Sequence, residues 1–165
     1  MSTSALVLSD SAGEPESICA HVRVEFKQTA VMSREGFEGT LTLTNEAMTE
    51  MTNITFTATV LNSAGEDVSD LFEIHNDVGI EGFSITQDGS SISYGLGNRG
   101  TGTFTVLYVP GRNTATEGPE DYQFTGTLTY TDSLVGEVSI DMTPVTLTVN
   151  PSPSLQLHYF VERDV

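Results

Sequence analysis

The chain of 165 residues has no tryptophan, one cysteine, one lysine and no long apolar run. With Cys19 alone, an internal disulfide and a multi-cysteine zinc site are both excluded, and the redox compartment stays open. A catalytic thiol at Cys19 would need a histidine partner. His21, His75 and His158 lie in three separate stretches, so Cys19 reads instead as a small apolar residue at the start of the first strand. No stretch approaches the roughly 18 apolar residues of a membrane span. Residues 1–16 hold no basic region followed by an apolar run, so they do not read as a signal peptide. Basic side chains are scarce too: 6 Lys plus Arg stand against 23 Asp plus Glu, for a net charge of −17. Such a surface repels phosphate backbones and anionic lipid, so nucleic acid and bare membrane are poor partners. It suits a saline or calcium-rich extracellular medium, or serves solubility alone. Helical periodicity is missing over any long stretch, as are EF-hand spacing and a nucleophile elbow. Glycine-rich 95–102 lacks the Gly-Lys-Ser/Thr ending of a phosphate loop and reads as a connection. No catalytic grouping is visible, so a hydrolase is a poor reading.

What is present is alternation. In 121–131, Tyr122, Phe124, Gly126, Leu128 and Tyr130 share one parity, and Gln123, Thr125, Thr127 and Thr129 the other. Side chains alternate sides along a strand, so this is a strand with an apolar face and a threonine face. The same design predicts strands at about 21–28, 37–45, 54–61 and 103–109. Pro144 divides a last strand into about 137–142 and 145–149, because proline removes a ladder donor and marks a bulge or an edge. Residues 46–53 read as a polar loop and 62–67 as a turn. Between 69 and 95 the pattern is weakest: a short strand at 71–75, then 83–86 and 90–94 flanking Asp88-Gly89, a hairpin signal. Threonine rows on strand faces suit a solvated sheet. Asn53-Ile54-Thr55 is a glycosylation sequon.

Seven or more short strands between polar turns predict an all-β fold, an antiparallel immunoglobulin-like β-sandwich of seven to nine strands. Residues 1–18 read as an acidic linker or extended arm and 19–150 as the sandwich. Residues 151–165 read as a linker and the start of a following module, with an alternating run at 155–161.

Asp121-Tyr122-Gln-Phe-Thr-Gly-Thr-Leu follows a loop and opens the penultimate long strand. This resembles the corner of immunoglobulin-like and fibronectin-type-III-like sandwiches, where a tyrosine hydroxyl closes the turn. The Val149-Asn-Pro-Ser-Pro ending resembles linkers between modules of large tandem-repeat surface proteins. The resemblance spans about 20–150, without the cysteine pair and core tryptophan of antibody domains. It implies a structural role for Tyr122, whose other reading is an ordinary half-buried aromatic. Some surface sandwiches of this kind carry a Lys–Asn isopeptide bond, but Lys27 has outward parity and reads as solvated.

If successive strands reverse direction, three connections and the end of the last strand share one pole. Those connections carry Glu35, Glu66, Asp67, Asp70, Glu117, Glu120 and Asp121. Carboxylates gathered there could supply the oxygen ligands of Ca²⁺; the plain alternative is solvated loops. The expected function is a non-enzymatic structural or adhesion module of a larger extracellular or cell-surface protein. Its partners would be neighbouring modules or another surface protein. A calcium- or carbohydrate-binding module using loops at one pole is the alternative.

Overall fold

A computed structural model describes residues 20–153. Cys19, the expected arm and the run at 155–161 lie outside the described residues. The eleven strands are β1 (Ala20–Phe26), β2 (Ala30–Met32), β3 (Phe37–Asn45), β4 (Met51–Leu61), β5 (Phe72–Glu81), β6 (Ser84–Asp88), β7 (Ser91–Leu96), β8 (Thr101–Pro110), β9 (Glu120–Asp132), β10 (Gly136–Asp141) and β11 (Val145–Asn150). A 3₁₀ turn, Ser69–Leu71, precedes β5. No helix among the described residues is long and apolar enough to cross a membrane.

The strands form two sheets, one ordered β1-β3-β8-β5 and the other β2-β11-β9-β4-β7-β6, with β10 also on β9. This is the division of an immunoglobulin-like sandwich, with the β6–β7 hairpin added outside β4. Ladders are antiparallel except β2–β11, which is parallel. The described residues hold eleven strands because β2 is a short extra strand, the hairpin is an addition, and the last strand is cut in two. Pro144 lies in that cut: β10 pairs with one half of β9 and β11 with the other, along the same edge.

Alternation carries the core. In β9 the residues Tyr122, Phe124, Gly126, Leu128 and Tyr130 are buried, and the threonines between them are half-buried. Around one end Phe26, Phe37, Tyr108 and Phe124 pack ring on ring, with centroids 5.1–6.0 Å apart. Toward the other end Leu41, Leu43, Ile54, Phe104 and Leu128 fill the space between sheets. Each fully buried side chain of this size contributes roughly 1.5–3 kcal/mol.

Three segments differ from the sequence expectation. β4 begins at Met51 rather than at residue 54, because the ladder shifts register between Thr52 and Thr55. Asn53, at φ 51°, takes up the extra residue, so Met51 and Ile54 both face the core although three apart. β7 runs on to Leu96, which is buried, leaving only 97–100 as loop. β5 extends to Glu81 across a second register shift between His75 and Gly79. Lys27 follows β1 and is exposed.

Candidate functional site

Hydrogen bonds between connections define the poles. At one, Ser33 N–H donates to the Asn150 carbonyl at 2.8 Å, Arg34 N–H to Pro110 at 2.8 Å, and Gly111 N–H to Leu71 at 2.9 Å. The β2–β3 turn, the approach to β5, the β8–β9 loop and the end of β11 therefore meet there. These are the connections expected to share a pole. At the opposite pole the buried Asn45 side chain donates to the carbonyls of Thr49, Leu96 and Gly97. Asp132 accepts from Thr49 Oγ1 at 2.6 Å and from Leu134 N–H at 2.7 Å.

The predicted carboxylates reach the Ser33 pole but do not converge on one point. All seven are exposed. Glu66 accepts from Asn62 Nδ2 at 2.9 Å, and Asp121 from Thr148 Oγ1 at 2.6 Å. Asp67 accepts from the Ser69 hydroxyl at 2.6 Å and the Ser69 N–H at 2.9 Å, and these bonds hold its carboxyl below the usual range. Asp70 lines an open cleft of about 530 Å³, and Glu35 a smaller hollow of about 290 Å³. Glu117 stands in the β8–β9 loop, and Glu120 opens β9. Among the described residues no three His, Cys, Asp or Glu side chains come together as a metal site.

Tyr122 closes its corner. Its hydroxyl donates to the Thr114 carbonyl at 2.7 Å, eight residues upstream, in a buried position. The Thr114 hydroxyl donates in turn to Gly111 at 2.8 Å, so the loop is stitched onto the strand it enters. Burial, and then the nearby Glu120 carboxylate, push the Tyr122 hydroxyl up.

Two features went unread in the sequence. Arg34 and Arg112, two of six basic residues in the chain, line the cleft beside Asp70. Both stand in loops that the topology brings to one pole, and their scarcity was the available signal. The second is a clasp on the outgoing chain. Ser152 donates its N–H to Ser33 Oγ at 2.9 Å and its hydroxyl to the Ser33 carbonyl at 2.6 Å. Local pattern carries no sign of a bond spanning 119 residues.

No protein-family model matches the chain, and no curated protein does. Among solved structures, AvmM, which catalyses macrocyclization in alchivemycin A biosynthesis, superposes with a TM-score of 0.58 at 10% identity. The match covers 93% of this chain and 100% of that one. PapD-like domain 7 of human CEP192 gives a TM-score of 0.46 at 17% identity, covering 94% and 99%. A family 123 glycoside hydrolase from Clostridium perfringens gives 0.49 at 10% identity, covering 84% of this chain and 28% of that one. The first likeness shows the fold, and fold alone does not decide function.

Proposed function

We propose that this chain is a non-enzymatic structural module of a larger extracellular or cell-surface protein, acting as a spacer or a protein–protein contact with neighbouring modules. One observation carries the reading: the sandwich is entered at one pole and left at the other. β1 starts opposite Asn45 at one end, and β11 ends beside Ser33 at the other. A chain threaded this way passes its connection along the long axis, as a spacer must. β9, with thirteen residues, spans roughly 40 Å of that axis. The Ser33–Ser152 clasp sets the direction in which the chain departs, and the −17 charge holds similar modules apart in dilute salt.

Tension between the poles runs along the strands, while the ladder bonds lie across it. Single-molecule pulling through the two ends of the full chain tests the spacer reading. One cooperative rupture is expected, releasing about 400 Å of contour at ~3.4 Å per freed residue. Gradual yielding with no rupture would overturn it.

A further inference from the structure

Among the described residues β6 is the outermost strand of its sheet, and all five of its residues are exposed. On its inner side it pairs with β7, from Ser84 opposite Gly95 to Asp88 opposite Ser91. Asp88 and Ser91 flank a two-residue turn with Gly89 at φ 61°. Residues flanking such a turn exchange backbone hydrogen bonds, and bonded pairs then alternate along the ladder. Ser84, Thr86 and Asp88 thus direct N–H and C=O toward β7. Ile85 and Gln87 direct theirs away from the sheet.

The side chains follow from the same register. Ile54, in the core, lies opposite Tyr94, and Tyr94 lies opposite Ile85. Ile92 is two residues from Tyr94 and opposite Gln87. Ile85 and Ile92 therefore point to the core side of the sheet. Among the described residues the facing sheet ends at β5, and these two isoleucines are 63% and 58% exposed. Sheet edges are ordinarily guarded by lysine, proline or a bulge. β6 has none of these, and its one charge, Asp88, stands at its end. In a chain of net charge −17, copies meet little repulsion along this stretch.

We propose that β6 pairs antiparallel with β6 of a second copy, about a two-fold axis through Thr86. In that register Ile85 faces the partner's Gln87, so the outward backbone groups of both strands meet in hydrogen bonds. Ile85 and Ile92 of the two copies then lie on one face, with the aliphatic stems of the two Gln87 side chains between them and Tyr94 at each side. Asp88 faces the partner's Ser84. The two Asp88 side chains stand about 14 Å apart along the strands, at ~3.4 Å per residue. That exceeds the Debye length of about 8 Å at 0.15 M salt. The contact is isologous and closes at two copies.

Sedimentation equilibrium of the full chain tests this. A monomer–dimer equilibrium is expected, tightening as NaCl rises from about 0.1 to about 1 M and the Debye length falls from about 10 to about 3 Å. Gln87→Pro removes an outward donor without taking a bond from β7, and Ile85→Lys adds an edge charge. Each should weaken the dimer at least tenfold, with the thermal midpoint of the dilute, monomeric chain unchanged. In a Cys19→Ser background, Thr86→Cys should give a disulfide-linked dimer under mild oxidation, because the register sets it against itself in a close, non-bonded pair. Ser84→Cys should not. The cysteine pair leaves the hairpin backbone intact and keeps the test open should Gln87→Pro disturb it. A monomer at every concentration and salt, a dimer that both edge variants leave intact, or equal cross-linking by the two cysteine variants would each overturn the proposal.

Discussion

Tyr122 and Tyr130 sit on the same face of the same strand, and both are buried. They differ in one respect. The Tyr122 hydroxyl donates to the Thr114 carbonyl, whereas the Tyr130 hydroxyl has no partner among the described residues. The same substitution should therefore have opposite results. Tyr122→Phe removes the bond and leaves the buried Thr114 carbonyl unsatisfied, which costs about 1–3 kcal/mol. At roughly 3–4 °C per kcal/mol for a domain of this size, the thermal midpoint should fall by about 3–12 °C. Tyr130→Phe removes a hydroxyl already stranded, so stability should hold or rise by up to about 1 kcal/mol. Urea unfolding with an unchanged slope is the assay, since a constant slope assigns the shift in midpoint to stability. Equal losses in both variants would refute the reasoning, because ring environment rather than hydrogen bonding would then govern both sites.

Gly126→Ala should cost at least about 2 kcal/mol in the same assay: a Cβ there would stand 2.3 Å from the Thr57 carbonyl oxygen and 2.7 Å from Phe56 Cε2. The hydrogen bond from Thr49, helped by the N–H groups of Leu134 and Val135, lowers the Asp132 carboxyl, and bonds from Ser69 lower Asp67. Their stabilisation is present above about pH 4 and is lost as pH falls through the lowered values, so Asp132→Asn should be less stable at pH 7 and lose less between pH 4 and pH 2. At the alkaline end, burial and the Asp132 charge push Tyr130 up to about 12. The unfolded chain releases that proton near pH 10, so stability should decline from about pH 10 toward pH 12, and the decline should be shallower in Tyr130→Phe. Calcium and magnesium at matched ionic strength should raise the thermal midpoint equally by screening; a rise specific to calcium would restore chelation at the Ser33 pole.

The long strands were legible because one face is buried and the other wet. β9 was expected at 121–131 and runs 120–132, and Pro144 divides the last strand where a missing N–H must. The pole was legible as well, since reversal of antiparallel strands sorts connections to alternate ends. What escaped was whatever breaks the period. The bulge at Asn53 hid Met51 by setting two core residues three apart, and the shift after His75 hid half of β5. β2 is too short to show a period, and only Val31 of its three residues is buried. At the pole, residue types pointed to carboxylates held together. The loops instead satisfy several of them with nearby hydroxyls and amides, and no spacing rule anticipates those local bonds.

The clasp between Ser33 and Ser152 also fixes when the domain can be completed. It joins groups 119 residues apart, and β2 meets its parallel partner only once β11 exists. The hairpin β6–β7, closed by two residues, forms locally and early; the parallel pair comes last. At ribosomal speeds of about 5–20 residues per second, Ser33 waits roughly 6–24 s for Ser152 to be made. Asn150, which ends β11, follows Asp132, which ends β9, by 18 residues, roughly 1–4 s at the same speed. In those seconds the edge that β11 will cover on β9 stands open, and nascent copies on neighbouring ribosomes present the same edge. The net charge of −17 then acts before there is any folded surface to display it: it keeps unfinished chains apart until the strand that closes the sheet arrives.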